Sequence, residues 1–164
     1  MRRATMRLVL AAGLGLLVGC DYVAQKELVA GTSTRADVER LMGKPRMVWE
    51  EDDGRVLLEY ARGPAGHETW MVELDRNGRY AGMRNLLTEA NFAKVAPGLS
   101  RDEVRRLLGA PTEQVTFERR REVVWSWRFM ADQNRSTFFN VHFDYDGKVR
   151  STSRSPDPAR IEGG

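Results

Sequence analysis

Cysteine is nearly absent from this sequence, with one residue, Cys20, in 164. A lone cysteine excludes an internal disulfide framework and any zinc site built on cysteines. Histidine is almost as scarce: His67 and His142 stand 75 positions apart and leave little for metal chemistry, so no metal site is expected. His67 follows a Gly-Pro-Ala-Gly loop (63–66), and His142 alternates out between Val141 and Phe143. Neither is accompanied by a nucleophile–base pairing, a metal-ligand spacing or a glycine-rich phosphate loop, so acid–base catalysis is not expected. Gly31-Thr32-Ser33-Thr34 lacks the lysine and glycine spacing of a P-loop. No run reaches the roughly 20 apolar residues of a membrane-spanning helix.

Acidic residues are missing from the first twenty positions, where Arg2, Arg3 and Arg7 stand alone. The whole chain carries 26 Lys+Arg against 23 Asp+Glu, a formal +3. Without those three arginines the balance is 23 against 23, and nucleic-acid binding loses its electrostatic basis. The neutral remainder is polarised. Residues 21–92 hold 10 basic and 13 acidic side chains, whereas 93–164 hold 13 and 10.

What is present at the N-terminus is a basic start, an apolar run of 11 residues (8–18) and a short exit. That is the layout of a secretory signal peptide. Leu17-Val18-Gly19-Cys20 resembles the lipobox of bacterial lipoproteins. The resemblance implies diacylglycerol on the Cys20 thiol, cleavage between Gly19 and Cys20, and N-acylation of the new terminus. Those covalent chains would be the only non-protein group, since no cofactor is expected. Each acyl chain contributes about 0.8 kcal/mol per buried CH₂, and two or more anchor stably. Asp21 resembles the enterobacterial signal for retention in the inner membrane, so the choice between inner and outer membrane stays open on the periplasmic side.

Past residue 20 the chain repeats itself. Thr34-Arg35-Ala36-Asp37-Val38-Glu39-Arg40-Leu41-Met42-Gly43-Lys44-Pro45 matches the stretch Ser100–Pro111 at a shift of 66. Leu58-Glu59-Tyr60 matches Trp125-Ser126-Trp127 at 67, and 72–78 matches 141–147 at 69. Three blocks in one order with a slowly growing offset indicate a duplication. In the first block Thr34 and Ser100 are N-caps, with Asp37 and Glu103 placed to complete capping boxes. Val38, Leu41 and Met42, like Val104, Leu107 and Leu108, form one apolar stripe on a short helix. Gly43 and Gly109 close each helix, and Pro45 and Pro111 forbid its continuation.

Helices this short need a partner surface. Strands are expected at 47–50, 56–60, 69–74 and 80–86, then at 114–118, 123–129, 137–143 and 149–152, with Asp53-Gly54, Asn77-Gly78 and Asp146-Gly147 as turn dipeptides. Further helices are expected over 22–29 and 87–95. The expected fold class is therefore α+β: two tandem repeats, each a helical pair plus a four-stranded antiparallel sheet. The expected boundaries are a signal peptide at 1–19, repeats at 20–88 and 89–152, and a loose tail at 153–164.

The segments Gly98–Pro111, Trp125-Ser126-Trp127 and Phe143–Val149 together resemble the SmpA/OmlA (BamE-like) bacterial lipoprotein family. The tandem arrangement is similar to the fold of the β-lactamase inhibitory protein. The first resemblance implies non-catalytic scaffolding by protein–protein and lipid contacts, tied to the machinery that inserts β-barrel proteins into the outer membrane, and an outer-membrane location. The second implies a different role, inhibition of a hydrolase through the concave face of a tandem sheet.

The candidate interaction surface combines Arg119, Arg120 and Arg121, at an expected hairpin turn, with Trp125, Trp127, Phe138 and Phe139. The arginine turn reads either as a solvated loop or as a contact to anionic lipid headgroups, where each basic residue would add about 1 kcal/mol. Most of the aromatics are expected in the sheet core, with an exposed subset as a hot spot. Phe138 and Phe139, being adjacent in a strand, must point to opposite faces. The expected function is that of a membrane-anchored, periplasm-facing lipoprotein, a non-catalytic adaptor in envelope maintenance, with the membrane, envelope proteins and the β-barrel assembly machinery as partners.

Overall fold

The computed structural model describes residues 20–63, 65–132 and 135–157, without the side chains of Cys20 and Asp21. The signal peptide with Leu17, Val18 and Gly19, and the last residues of the tail, lie outside the described residues, as does the Cys20 side chain. The first repeat runs α1 (Cys20–Glu27), α2 (Arg35–Met42), β1 (Met47–Glu50), β2 (Val56–Ala61), β3 (Thr69–Leu74) and β4 (Tyr80–Asn85). The second runs α3 (Glu89–Phe92), α4 (Arg101–Leu108), β5 (Glu113–Phe117), β6 (Glu122–Ala131), β7 (Arg135–Phe143) and β8 (Val149–Pro156), with a single 3-10 turn at Glu118–Arg120. Each repeat forms its own antiparallel meander, ordered β1-β2-β3-β4 and β5-β6-β7-β8. The fold is the α+β tandem read from the sequence.

Local chemistry explains why the two helices recur. The Thr34 amide donates to Asp37 Oδ2 at 2.8 Å while the Asp37 amide donates back to Thr34 Oγ1 at 3.3 Å. Ser100 and Glu103 do the same at 2.7 and 3.3 Å. Both boxes use up helix-end N–H groups that would otherwise lack a partner. A second shared device joins each helix entry to the last turn of its own sheet: Tyr80 N–H donates to Ser33 C=O, and Val149 N–H to Leu99 C=O, each at 2.8 Å.

The period-2 pattern then decides which strand residues reach the helices. In the first repeat Leu58, Tyr60, Val72 and Leu74 join Val38 and Met42 in one core. In the second, Trp127, Phe129, Phe139, Val141 and Phe143 join Phe92, Val104 and Leu108. The ring of Phe92 stacks on Phe139 at 4.3 Å between centroids.

Two expectations change. The helix expected over 87–95 is four residues long, capped by the Thr88 side chain on the Asn91 amide. Residues 153–156, expected within the loose tail, instead continue β8 to Pro156, in register with β7 through Phe138↔Ser155 and Thr137↔Pro156. A Ser/Thr/Arg-rich stretch offers no apolar signal, yet an antiparallel neighbour satisfies its backbone regardless of side chain. Asp157 then turns across the sheet, paired with Arg128 at 3.1 Å and accepting from the Ser136 hydroxyl at 2.5 Å.

Candidate interaction surface

Each sheet has an inner face, under its own helices, and an outer face. On the first sheet the outer face carries Glu59, Thr69 and Met71, all buried. Glu59 and Thr69 are met by the end of α4 and the residues just after it. Glu59, with no exposed surface, accepts from the Ala110 amide at 3.1 Å and pairs with Arg105 at 3.4 Å. Gly109 comes so close that a Cβ there would stand 2.6 Å from Thr69 Cγ2. Farther along, Arg106 reaches Glu51 at 2.7 Å and lies over the Trp49 ring at 4.7 Å. A second link joins His67 Nε2 to the Ser136 hydroxyl at 2.9 Å. Between these ties lies a small cavity of about 160 Å³, lined by Arg46, Ala61, Thr69, Leu87, Ala110 and Thr112 among others.

Sequence reasoning missed Glu59 and His67. Glu59 alternates out from Leu58 and Tyr60, which reads as a solvent position; only the packing of α4 on that face buries it. The position of the match gave a hint, since Ser126 stands at the corresponding place in the second repeat.

The outer face of the second sheet carries Val115 and Phe117 on β5, Glu122 and Val124 on β6, Asn140 and His142 on β7, and Ser151 and Ser153 on β8. Val115 and Phe117 are 45% and 40% exposed. The absence of a base–hydroxyl pairing expected at His142 does not hold: Nδ1 contacts Glu122 Oε1 at 3.0 Å and Nε2 contacts Ser153 Oγ at 2.8 Å. Asn140 Nδ2 also donates to Ser153 Oγ at 3.4 Å and to Ser155 Oγ at 3.1 Å. The pairing arises because His142, opposite Val124 and Ser151, has Glu122 and Ser153 as its diagonal neighbours on the same face, within reach of a long side chain whatever their distance in sequence. The histidine thus holds three strands of side chains in one hydrogen-bonded row, next to an open depression of about 560 Å³ that also includes Arg120 and Arg150.

Arg119, Arg120 and Arg121 sit at the β5–β6 turn, as expected. Arg121 adopts φ 51°, the left-handed conformation that closes the 3-10 turn. Arg120 lies over Phe117 at 5.3 Å and Arg121 over Tyr145 at 5.6 Å. Tyr145 donates to Glu118 Oε2 at 2.5 Å, and that bond holds its phenol above the ordinary value of 10.0. Such stacking fixes guanidinium positions without neutralising them.

The aromatic members of the expected surface lie elsewhere. Trp127 and Phe139 are buried in the core under α3 and α4, and Trp125 is half-buried against the same core. Trp127 also donates from Nε1 to the Gly109 carbonyl at 3.1 Å. Phe138 does point to the opposite face from Phe139 but is buried too, with the Arg128 guanidinium 5.1 Å from its ring centre. These four aromatics therefore serve packing, and exposed apolar contact area on this sheet comes instead from Val115, Phe117 and Met130. The two sheets are separate, and the first one's outer face is partly filled by α4.

Among the described residues no helix is long and apolar enough to cross a membrane, and no group of three His, Cys, Asp or Glu side chains could hold a metal ion. Two solved structures are similar over most of the chain at low similarity. A DUF4309 family protein (YjgB) from Bacillus subtilis is 14% identical, with 80% of this chain and 84% of that one covered and a TM-score of 0.31. A putative beta-lactamase inhibitor protein from Streptococcus mutans is 11% identical, with 75% and 82% covered and a TM-score of 0.31. A comparison with curated proteins finds no significant match. Residues 84–153, from the end of β4 through α3, α4, β5, β6 and β7 into β8, match the family model described as Outer membrane protein assembly factor BamE domain, so the second repeat is similar to that domain.

Proposed function

We propose that this chain is a membrane-anchored, periplasm-facing lipoprotein that acts as a non-catalytic adaptor in the assembly of outer-membrane β-barrel proteins. The observation that carries the reading is the BamE domain match over 84–153. The lipobox-like Leu17–Cys20 supports the anchor, with diacylglycerol on Cys20 and cleavage after Gly19. The family description supports outer-membrane residence, and Asp21 is the feature that pulls toward the inner membrane. In this reading the first repeat is a spacer that carries the second away from the bilayer, and the Arg119–Arg121 turn with the outer face of the second sheet meets the partner.

Fractionation of the native protein beside Cys20→Ser and Asp21→Ser variants, with crosslinked partners identified in each fraction, tests this directly. The expected result is native protein in the outer-membrane fraction, crosslinked to envelope assembly components, and a Cys20→Ser chain released from membranes. A Cys20→Ser chain that stays membrane-bound would remove the anchor. Recovery of no assembly component by the native chain would remove the adaptor role.

A further inference from the structure

The duplication supplies an internal precedent for how one of these units meets its neighbour. In the first repeat the β1–β2 turn is acidic (Glu50, Glu51, Asp52, Asp53), and Glu51 is taken by Arg106 from the next unit at 2.7 Å. In the second repeat the corresponding turn has the opposite sign, Arg119-Arg120-Arg121, and among the described residues no acidic side chain of another unit meets it. Among the described residues, Arg119, Arg120, Arg121 and Arg150 have no carboxylate within ion-pair distance. Arg154, on the same strand as Arg150, is held by Glu89 through two bonds. The two nearest carboxylates are already engaged, Glu118 by Tyr145 and Glu122 by His142.

Resting on the adaptor reading and naming the chemistry of its partner, we propose that the depression lined by Arg120, Glu122, His142, Arg150, Ser151 and Ser153, in which Glu122 is taken up by His142, receives the carboxylates of an acidic, extended segment of a partner protein on its two arginines, laid along the open edge of β8. Guanidinium groups bind carboxylates by charge-assisted, often bidentate bonds. The hydroxyls of Ser151 and Ser153 share one face at two-residue spacing, about 6.6 Å, which is the side-chain repeat of an extended peptide. β8 is the last strand of its sheet and is exposed from Arg150 to Arg154, so its outer edge offers backbone groups for an added strand. Residues alternating with the acidic ones point to the opposite side of the added strand, so strand propensity alone sets their choice. A lipid headgroup layer would meet mobile, protruding basic side chains; here Arg120 and Arg121 are stacked on rings beside a recess lined with hydroxyls.

The test uses purified full-length chain in detergent micelles and labelled, end-blocked six-residue peptides of alternating Glu and Val, with Gln–Val and Lys–Val counterparts. The Glu–Val peptide is expected to bind, with the other two weaker by about tenfold or more. Replacing Arg120→Ser together with Arg150→Ser is expected to weaken Glu–Val binding by a similar factor, while Arg40→Ser with Arg76→Ser on the first repeat leaves it unchanged. Equal binding of the Glu and Gln peptides, or indifference to the Arg120/Arg150 pair, overturns the inference, and the peptide comparison holds even if the double variant does not fold. Tighter, arginine-dependent binding to phosphatidylglycerol vesicles than to the Glu–Val peptide overturns it in favour of a lipid surface. If the double variant still crosslinks to the native chain's envelope partners, this site falls and the adaptor reading stands. If the native chain crosslinks to none, the adaptor reading itself falls.

Discussion

The two repeats share an element order and their capping boxes, yet their outer sheet faces have opposite fates. On the first, Glu59, Thr69 and Met71 are buried, with Glu59 and Thr69 against the end of α4. On the second, the corresponding positions are Ser126, Phe138 and Asn140, and the face toward β8 stays open. The duplicated unit therefore has two usable surfaces, an inner one for its own helices and an outer one for a neighbour. Among the described residues, only the first unit's outer face is met by a neighbouring unit. The second is left with an outer face whose turn has reversed its charge, which is why partner recognition is assigned there.

That contrast can be broken most sharply at Glu59. Glu59→Ala leaves the Ala110 amide and Arg105 without their acceptor in a closed interface, and is expected to cost about 3–5 kcal/mol. Ser126→Ala, its counterpart on the open face, is expected within about 0.5 kcal/mol. Urea unfolding of both variants measures the difference, and equal costs would mean the outer faces are alike.

Next in size is the pair of helix-closing glycines. Gly43 and Gly109 have φ of 83° and 74°, so alanine at either is strained by about 1–3 kcal/mol. At Gly43 the added Cβ meets nothing within 4 Å, whereas at Gly109 it collides with Thr69 Cγ2. Gly109→Ala is therefore expected to cost a further 1–3 kcal/mol beyond Gly43→Ala. Matched costs in thermal unfolding would show that α4 does not press on the first sheet.

The capping boxes are where the repeats should behave alike. Thr34→Ala and Ser100→Ala are each expected to lose about 1 kcal/mol. Bonds from the Thr34 and Ser100 backbone amides hold the Asp37 and Glu103 carboxyls below their ordinary 3.8 and 4.5. Glu89 is lowered in the same way by its bond from Arg154. A carboxyl lowered in the folded state stabilises fully above its unfolded value, and that contribution is lost as pH falls through the folded one. Stability is thus expected to be flat on this account above about pH 5 and to fall toward pH 3, with a shallower fall in either cap variant. A capped and an uncapped chain with the same acid slope would rule this out.

The smallest expected effect separates the two inner faces. Tyr60 and Trp127 occupy corresponding core positions, but Trp127 donates to Gly109 while the buried Tyr60 hydroxyl has no partner in the described structure. Burial pushes its phenol up to about 12. Tyr60→Phe is expected to be neutral or slightly stabilising, within about 0.5 kcal/mol, because it removes an unsatisfied polar group. A loss above about 1 kcal/mol in denaturant unfolding would mean that the hydroxyl has a partner.

Much of the fold was legible in particular residues. Thr34/Asp37 and Ser100/Glu103 marked both helix starts, Gly43 and Gly109 their ends, and the alternation of Trp125, Trp127 and Phe129 a half-buried strand. These signals are local, since capping and period-2 exposure depend on neighbours along the chain or one strand away. The site was less legible. Arg119–Arg121 stood at the turn as expected, but Trp127 and Phe139 were offered as surface and proved to be core, because aromatic content does not say which face of a strand is covered. The row Glu122–His142–Ser153 was invisible, since its members are separated by 20 and 11 positions and meet only across strands.

By itself the sequence determined the duplication, the order of elements in each unit, the polarity of charge between the halves and the lipobox-like Cys20. These are written in short-range patterns whose energetics need no distant partner. Only the tertiary structure decided that the sheets are separate, that Glu59 is buried, that β8 extends to Pro156, and that the outer face of the second sheet is the free one. Each of those depends on which surface of one unit packs on the other, and no residue carries that information without the residues it meets.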